Sequence, residues 1–324
     1  MESAPFFDDI ADGPEGGAAW WLTTLDGVRI RIGAWGHGTE DGATKGTVLL
    51  FPGRTEYVEK YGRAARDLLS RGYATLAIDW RGQGLADRMI DDRVTGHVHW
   101  FSDYQKDVRA MVAAAESLGL PRPFFLLAHS MGGCIGLRAL HEDLPVAAAA
   151  FTGPMWGIAM APSTRPAAWA LAWGGKMFGF GHLNAPGTGG DSYVMTAPFE
   201  DNVLTTDPEM FTYMQDQGHA HPELLLGGPS LRWLHEALTE CRALDRMPSP
   251  HHPAITFLGS NERIVETDRV TSRMARWPNG TLEMIEGGEH EVLMEGPETR
   301  AHIFDRMCRF FADHAGGKPR AIGA

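Results

Sequence analysis

The sequence predicts an α/β protein: a mostly parallel, doubly wound sheet flanked by helices, with one helical cap inserted over its carboxyl edge. Three observations lead there. Short β-rich apolar runs alternate with amphipathic helix-like stretches, the pattern of strand-helix-strand crossovers. The alternation stops once, from about residue 154 to 240. Residues suited to nucleophilic chemistry fall just after apolar runs, at the sheet edge where α/β proteins place their sites.

In chain order, WWLTTLDGVRIRIGAW reads as two strands around an Asp26-Gly27 turn, a strong hairpin signal. Apolar runs follow at GTVLLF (46–51), YATLAID (73–79), PFFLLA (123–128), PVAAAAF (145–151), AITFLG (254–259) and TLEMIEG (281–287). KYGRAARDLLSRG and SDYQKDVRAMVAAAESLG read as helices between them, the second with Ser102 as a candidate N-cap. The interval 154–240 is rich in Trp, Met, Phe, Gly and Pro, then turns helical around TDPEMFTYMQDQG and GPSLRWLHEAL. The expected organisation is therefore a core at 1–153 and 241–324 carrying a cap at 154–240. No internal repeat or low-complexity linker interrupts it.

A formal net charge of −12, from 29 basic and 41 acidic residues, argues against nucleic-acid and polybasic membrane binding. Three widely spaced cysteines (Cys134, Cys241, Cys308) in apolar surroundings read as buried free thiols of a reducing compartment. The acidic, Gly-rich start MESAPFFDDIADGPEGG lacks a basic n-region and an apolar h-region, so no signal peptide is expected and the default location is cytoplasmic. Leu144 to Thr164 carries no charge, but three prolines and two glycines break it, so it reads as a buried strand and loop rather than a membrane span.

The chemistry centres on LLAHSMGGCI (126–135). Ser130 follows a strand directly and precedes a helix-compatible run, with Ala128 and Gly132 supplying the small residues that a strained nucleophile turn needs. A structural turn serine would look the same, so the partners decide. A serine hydroxyl needs a base, and the base needs an orienting carboxylate, each just past a later strand. Glu262 lies in SNERIV after AITFLG, and His290 in GEHEVLMEG after TLEMIEG, with Gly287 and Gly288 freeing the loop. Glu266 and Asp268 are rival acids, but both look like helix-start residues. For the oxyanion, the N–H groups of Met131 and of Arg54 in the Pro52-Gly53 turn are the candidates.

His97/His99, His219/His221 and His251/His252 have no spaced Cys, Asp or Glu beside them, so no metal and no cofactor are expected. His129 should point away from Ser130 and pack. Asp79 and Arg81 should hold the DWRGQG loop together. A cap above a serine must wall some pocket, which makes Met155, Trp156, Trp173, Met177 and Phe178 the substrate-binding candidates; plain cap packing is the alternative.

These segments resemble α/β-hydrolases of the monoacylglycerol lipase type, most of all bacterial lysophospholipases. FPGRTEYVEKYGRAARDLLSRGYATLAIDWRGQG, GHVHWFSDYQKDV, AHSMGG, FEDNVLTTDPEMF, GGPSLRWL, GSNERIV and GGEHEVLMEG match that group in the same order, from about Trp20 to Phe310. The resemblance implies an eight-stranded hydrolase sheet with a helical cap and a lipid-like carboxylic ester as substrate. Three departures stand out: Pro52-Gly53 for the usual His-Gly, Glu262 for the usual Asp, and Ala128 for the common elbow Gly.

The expected function is hydrolysis of monoacyl lipids, lysophospholipid or monoacylglycerol, by Ser130, His290 and Glu262 through an acyl-enzyme. The partners expected are the lipid ester itself and, through the cap, a transient membrane surface, without a transmembrane segment. A hydrolase of small non-lipid esters or amides, and a non-catalytic capped ligand-binding protein, are the alternatives.

Overall fold

The computed structural model describes residues 1–37, 44–161 and 163–316. One sheet organises them: β1 (Glu2–Ala4), β2 (Ala18–Thr23), β3 (Arg29–Trp35), β4 (Thr47–Phe51), β5 (Ala74–Asp79), β6 (Phe124–His129), β7 (Ala149–Thr152), β8 (Ala254–Gly259) and β9 (Gly280–Ile285). Their spatial order is β1-β2-β3-β5-β4-β6-β7-β8-β9. The first three pairings are antiparallel and the rest parallel. The sheet thus has nine strands where the resemblance implied eight. The extra one is β1, three residues pairing with β2 through Glu2↔Trp21, too short and too polar to announce itself.

The parallel strands β4, β5, β6 and β8 are buried at every residue, which is why each reads as a continuous apolar run. Their side chains alternate between two apolar layers, as the period of two requires. Leu49, Phe51, Leu126 and Ala128 face a layer with Met111, Ile135 and Val270. Val48, Leu50, Phe125 and Leu127 face the opposite layer with Ala65, Leu68, Phe304 and Met307. The Asp26-Gly27 hairpin forms as read: Gly27 takes φ +82° and the Thr24 N–H donates to Val28 O (2.9 Å). β7 starts later than PVAAAAF suggested, with Pro145 lying outside the strand.

The helices are α1 (Asp8–Ala11), α2 (Gly62–Leu69), α3 (Tyr104–Ser117), α4 (Met131–His141), α5 (Arg165–Met177), α6 (Tyr193–Thr196), α7 (Pro208–Ala220), α8 (Leu231–Asp245), α9 (Thr267–Ala275) and α10 (Pro297–His314). Ser102 caps nothing: it sits in a 3-10 turn and α3 starts two residues later. Asp207 and Ser230 do cap α7 and α8, accepting from the Met210 and Trp233 N–H groups.

Helices α5 to α8 all lie between β7 and β8, where the alternation stopped. The expected end of that insertion, residue 240, falls inside α8, which runs unbroken to Asp245. α5 packs on α8 through small residues: Ala172 and Gly175 are buried, and a Cβ on Gly175 would sit 2.8 Å from Leu231 Cδ1. The three cysteines are buried and free. Among the described residues, no helix is long and apolar enough to cross a membrane.

Candidate active site

Ser130 stands in the sharp turn between β6 and α4 with φ +48° and ψ −116°. Such a backbone costs a non-glycine residue of order 1–3 kcal/mol, so its surroundings must hold it. They do. The Ser130 N–H donates to Thr152 O (3.1 Å), and the Ser130 carbonyl accepts from the Gly133 and Met155 N–H groups (2.9 and 2.8 Å). The small residues that follow allow close approach: a Cβ on Gly132 would lie 2.0 Å from Phe51 O, and one on Gly133 2.6 Å from Pro154 Cβ. Helix α4 therefore begins hard against the loop after β4.

The structure brings Glu262 and His290 together, with His290 Nδ1 2.7 Å from Glu262 Oε2. A carboxylate can only accept, so in the neutral ring Nδ1 carries the proton and Nε2 keeps its lone pair. The other carboxylate oxygen, Oε1, accepts from the Ile264 and Val265 N–H groups (2.7 and 3.1 Å). Burial works against ionising this side chain, but the His290 ring and the two backbone donors outweigh it and hold the carboxyl below its usual range.

A Cβ on Gly153, the residue after the Ser130 N–H acceptor, would touch both His290 Nδ1 (3.0 Å) and Glu262 Oε2 (3.1 Å). The pair thus stands at the end of β7, beside the elbow. Ser130 Oγ and the imidazole do not hydrogen-bond here; such pairs commonly tighten only when substrate arrives. The rival acids are placed elsewhere. Glu266 is taken up by Arg165 and Arg269, and Asp268 is exposed in the first turn of α9.

The register Phe51↔Ala128 sets Arg54 and Met131 each three residues beyond a paired position. Trp80 Nε1 donates to Pro52 O (3.0 Å), and Gln83 Nε2 donates to Gly53 O (2.8 Å). In a trans peptide the N–H points opposite the preceding carbonyl, so anchoring Gly53 O to Gln83 aims the Arg54 N–H the other way. Among the described residues, neither the Arg54 nor the Met131 N–H is spent on a protein acceptor. Two unspent donors on adjacent loops can hold an oxyanion. Gln83 lies in the DWRGQG segment, where nothing in its local sequence marks it for this anchoring role. In that segment Asp79 accepts from the Val58 and Leu85 N–H groups (both 2.8 Å), while Arg81 pairs with Asp107 and Asp26.

Beneath these loops lies a buried ionic cluster that the sequence reading did not assemble. Lys60 Nζ is 2.7 Å from both Glu56 Oε1 and Glu291 Oε1. His129 was expected to pack, but it enters this cluster with its ring centre 4.8 Å from that of His290: Nδ1 donates to Thr152 O (3.0 Å), while Nε2 lies 3.5 Å from Glu56 and 3.3 Å from Glu291. Burial opposes protonation of His129, but the two carboxylates raise its pKa above the ordinary value. With His129 protonated the four charges cancel.

The cluster joins the three loops of the site. Glu56 Oε2 also accepts from the Gly53 N–H and from Tyr61 Oη, His129 precedes Ser130, and Glu291 follows His290. Glu56, His129 and Glu291 have ligand-like spacing, yet the Lys60 ammonium stands between the two carboxylates and supplies the balancing positive charge. The i,i+4 spacing of Glu56 and Lys60 was the available signal. The histidine pairs serve other ends: His97 Nδ1 is 2.8 Å from Ser230 Oγ, and His221 stacks on Phe7 at 3.7 Å.

The substrate-binding candidates separate into two groups. Met155 and Trp156 are core residues, with Trp156 stacked against Trp277 and its Nε1 donating to Gly133 O (3.1 Å). Trp173, Met177 and Phe178 are 54%, 61% and 72% exposed on the outer side of the α5 region. α5 meets α8 through Ala172 and Gly175, with Trp169 beside His235 and Lys176 paired with Glu236, and this leaves Trp173, Met177 and Phe178 on the other side.

Residues 42–297 match the Hydrolase_4 family, described as serine aminopeptidase, S33. The chain belongs to this family. Its likeness to bacterial lysophospholipases extends through most of its length: it is 31% identical to lysophospholipase L2 of Escherichia coli K12 over 277 residues, covering 82% of this chain and 80% of that one. A probable lysophospholipase L2 of Haemophilus influenzae is 28% identical over 272 residues, covering 83% and 85%. The structure of a soluble variant of Saccharomyces cerevisiae monoglyceride lipase, bound to a substrate analogue, superposes with a TM-score of 0.70 at 20% identity, covering 91% of this chain and 94% of that one. That likeness shows the shared α/β-hydrolase fold.

Proposed function

We propose that this member of the Hydrolase_4 family hydrolyses the carboxylic ester of monoacyl lipids, lysophospholipid or monoacylglycerol, through an acyl-enzyme. The observation that carries the reading is the Glu262–His290 pair held at the end of β7 beside a strained Ser130, with the Arg54 and Met131 N–H groups unspent. Ser130 Oγ attacks the ester carbonyl while His290 Nε2 takes its proton, and the two N–H groups hold the resulting oxyanion. His290 then returns the proton to the departing glycerol oxygen, and water repeats the sequence to release the fatty acid. Glu262 keeps the imidazole in the productive tautomer and balances its transient charge. The names of the relatives, lysophospholipase L2 and monoglyceride lipase, support the substrate class.

The interval 154–240 serves as the cap in this reading. Its exposed Trp173, Met177 and Phe178 suit transient contact with a lipid surface rather than the wall of an acyl pocket. A cytoplasmic location accords with three free cysteines. The family description also names an aminopeptidase, so the test includes amides. Purified protein is labelled with a fluorophosphonate and assayed on lysophospholipids, monoacylglycerols, short esters and aminoacyl amides. Ser130→Ala should abolish labelling and lower kcat by about 10⁴- to 10⁶-fold while leaving the protein folded. Activity confined to amides or short esters overturns the substrate class, and labelling that persists in the variant overturns the nucleophile.

A further inference from the structure

We propose that the Arg54 guanidinium receives the phosphate of a lysophospholipid headgroup, a side-chain role distinct from that of the Arg54 backbone N–H. The proposal rests on the ester-hydrolase reading above. Its starting point is a charge imbalance. Arg31, Arg81 and Lys60 are buried around the same loops, and each holds two carboxylates: Glu59 and Asp79, Asp107 and Asp26, Glu56 and Glu291. Arg54 holds none. Among the described residues its side chain has a single acceptor, the neutral carbonyl of Gly227, 2.7 Å from Nη1.

Among the described residues the rest of its surroundings supply no anion either. The guanidinium lies 5.7 Å from the Trp233 ring centre, and a Cβ on Gly96 would stand 3.4 Å from Nη1. Burial pulls the guanidinium down to about 10, against the weak opposing influence of Tyr104. Burial also pushes the Tyr104 hydroxyl up and holds His97 down to about 4, so neither is charged at neutral pH. Arg54 is half-buried, and a partly desolvated cation with no counter-charge favours an anion beside it. Nε and Nη2 remain undonated, and two such N–H groups on a planar fork match two phosphate oxygens.

Position selects a phosphate attached to the substrate. The side chain leaves the residue whose N–H faces the reacting carbonyl, and it runs under the cap segment Gly227–Trp233. In a lysophospholipid, three glycerol carbons and two oxygens separate the ester carbonyl from the phosphorus, about the reach of an extended arginine side chain. A monoacylglycerol presents a neutral hydroxyl at the same distance. The Arg54–Gly227 hydrogen bond could instead be a strut between oxyanion loop and cap, and the experiment separates the two roles.

The full-length protein is compared with Arg54→Met and Arg54→Lys on a lysophospholipid and a monoacylglycerol of the same acyl chain, both below their micelle-forming concentrations. The readout is the ratio of the two kcat/KM values, because a disturbed backbone at residue 54 lowers both alike. Arg54→Met should lower the ratio by roughly 10- to 100-fold, as expected for losing charge-assisted hydrogen bonds, and Arg54→Lys should retain part of it.

A second arm uses a short chromogenic ester, with glycerophosphocholine or inorganic phosphate as inhibitor. The diester should inhibit the wild type and be weakened about tenfold or more in Arg54→Met. An unchanged ratio in both variants, or diester inhibition insensitive to Arg54, leaves only the strut. Inhibition by inorganic phosphate alone marks a free-anion site and overturns the headgroup role. If the wild type cleaves the short ester but neither lipid, the substrate reading has failed, and the inhibition arm still decides Arg54.

Discussion

Replacing Glu262 by Gln removes one charge and almost no volume, and the structure shows why that is enough. The buried carboxylate accepts three N–H donors: His290 on Oε2, Ile264 and Val265 on Oε1. An amide can satisfy only one side. With its oxygen toward His290, its NH₂ confronts two backbone donors, leaving buried groups unpaired at about 1–3 kcal/mol each. With its oxygen toward Ile264 and Val265, both backbone bonds survive, and the NH₂ donates to His290 Nδ1. The second arrangement is therefore favoured. It forces the imidazole proton onto Nε2, the atom that must accept the Ser130 proton.

Glu262→Gln should therefore lower kcat by about 10⁴-fold, some 5.5 kcal/mol of barrier. KM should change little, because this side chain faces His290 and the backbone rather than the serine. Initial rates on a short chromogenic ester measure both, normalised to correctly folded protein by circular dichroism. Asp268→Asn, altering an exposed residue of α9, should stay near wild type. Retention of more than about a tenth of kcat in Glu262→Gln, or a large loss in Asp268→Asn, would refute the assignment of the acid.

Two further outcomes follow from the same geometry. His129 is held above its ordinary pKa by Glu291 and Glu56, after the opposing effect of burial. Its contribution to stability is thus complete below about pH 6.5 and is lost as pH rises through the higher folded value. Urea unfolding across that range should show wild type losing stability on the alkaline side and His129→Gln losing less; parallel curves would mean that His129 is neutral in the fold. On the cap, Met177→Ser with Phe178→Ser should weaken binding to phospholipid vesicles by roughly 10- to 100-fold, as expected for losing two inserting side chains. Co-sedimentation measures this directly. A loss on monomeric short esters with vesicle binding intact would return these residues to the pocket wall.

What the sequence determined by itself is whatever depends on neighbours along the chain. Buried parallel strands show as continuous apolar runs because both faces are covered, so β4, β5, β6 and β8 were legible within a residue or so. The Asp26-Gly27 hairpin was legible because its turn needs a positive φ that glycine supplies. Ser130, Glu262 and His290 could be nominated because each closely follows a strand, and strand ends are a local property. Tertiary structure decided the rest. The edge strand β1 exists only because β2 offers it a partner. The Glu56–Lys60–His129–Glu291 cluster draws on three segments, and its longest link spans 231 positions, a distance over which spacing carries no information.

Arg54 was visible as an arginine in a turn, but its lack of a counter-charge appears only once every nearby carboxylate is seen paired elsewhere. The cap shows the limit most plainly. Trp173, Met177 and Phe178 read as pocket-lining because a cap above a serine must wall some pocket, yet α5 meets α8 through Ala172 and Gly175 and leaves these three exposed. Which face of a helix is buried depends on how near its neighbour comes, and that distance is set by packing between segments far apart in the chain.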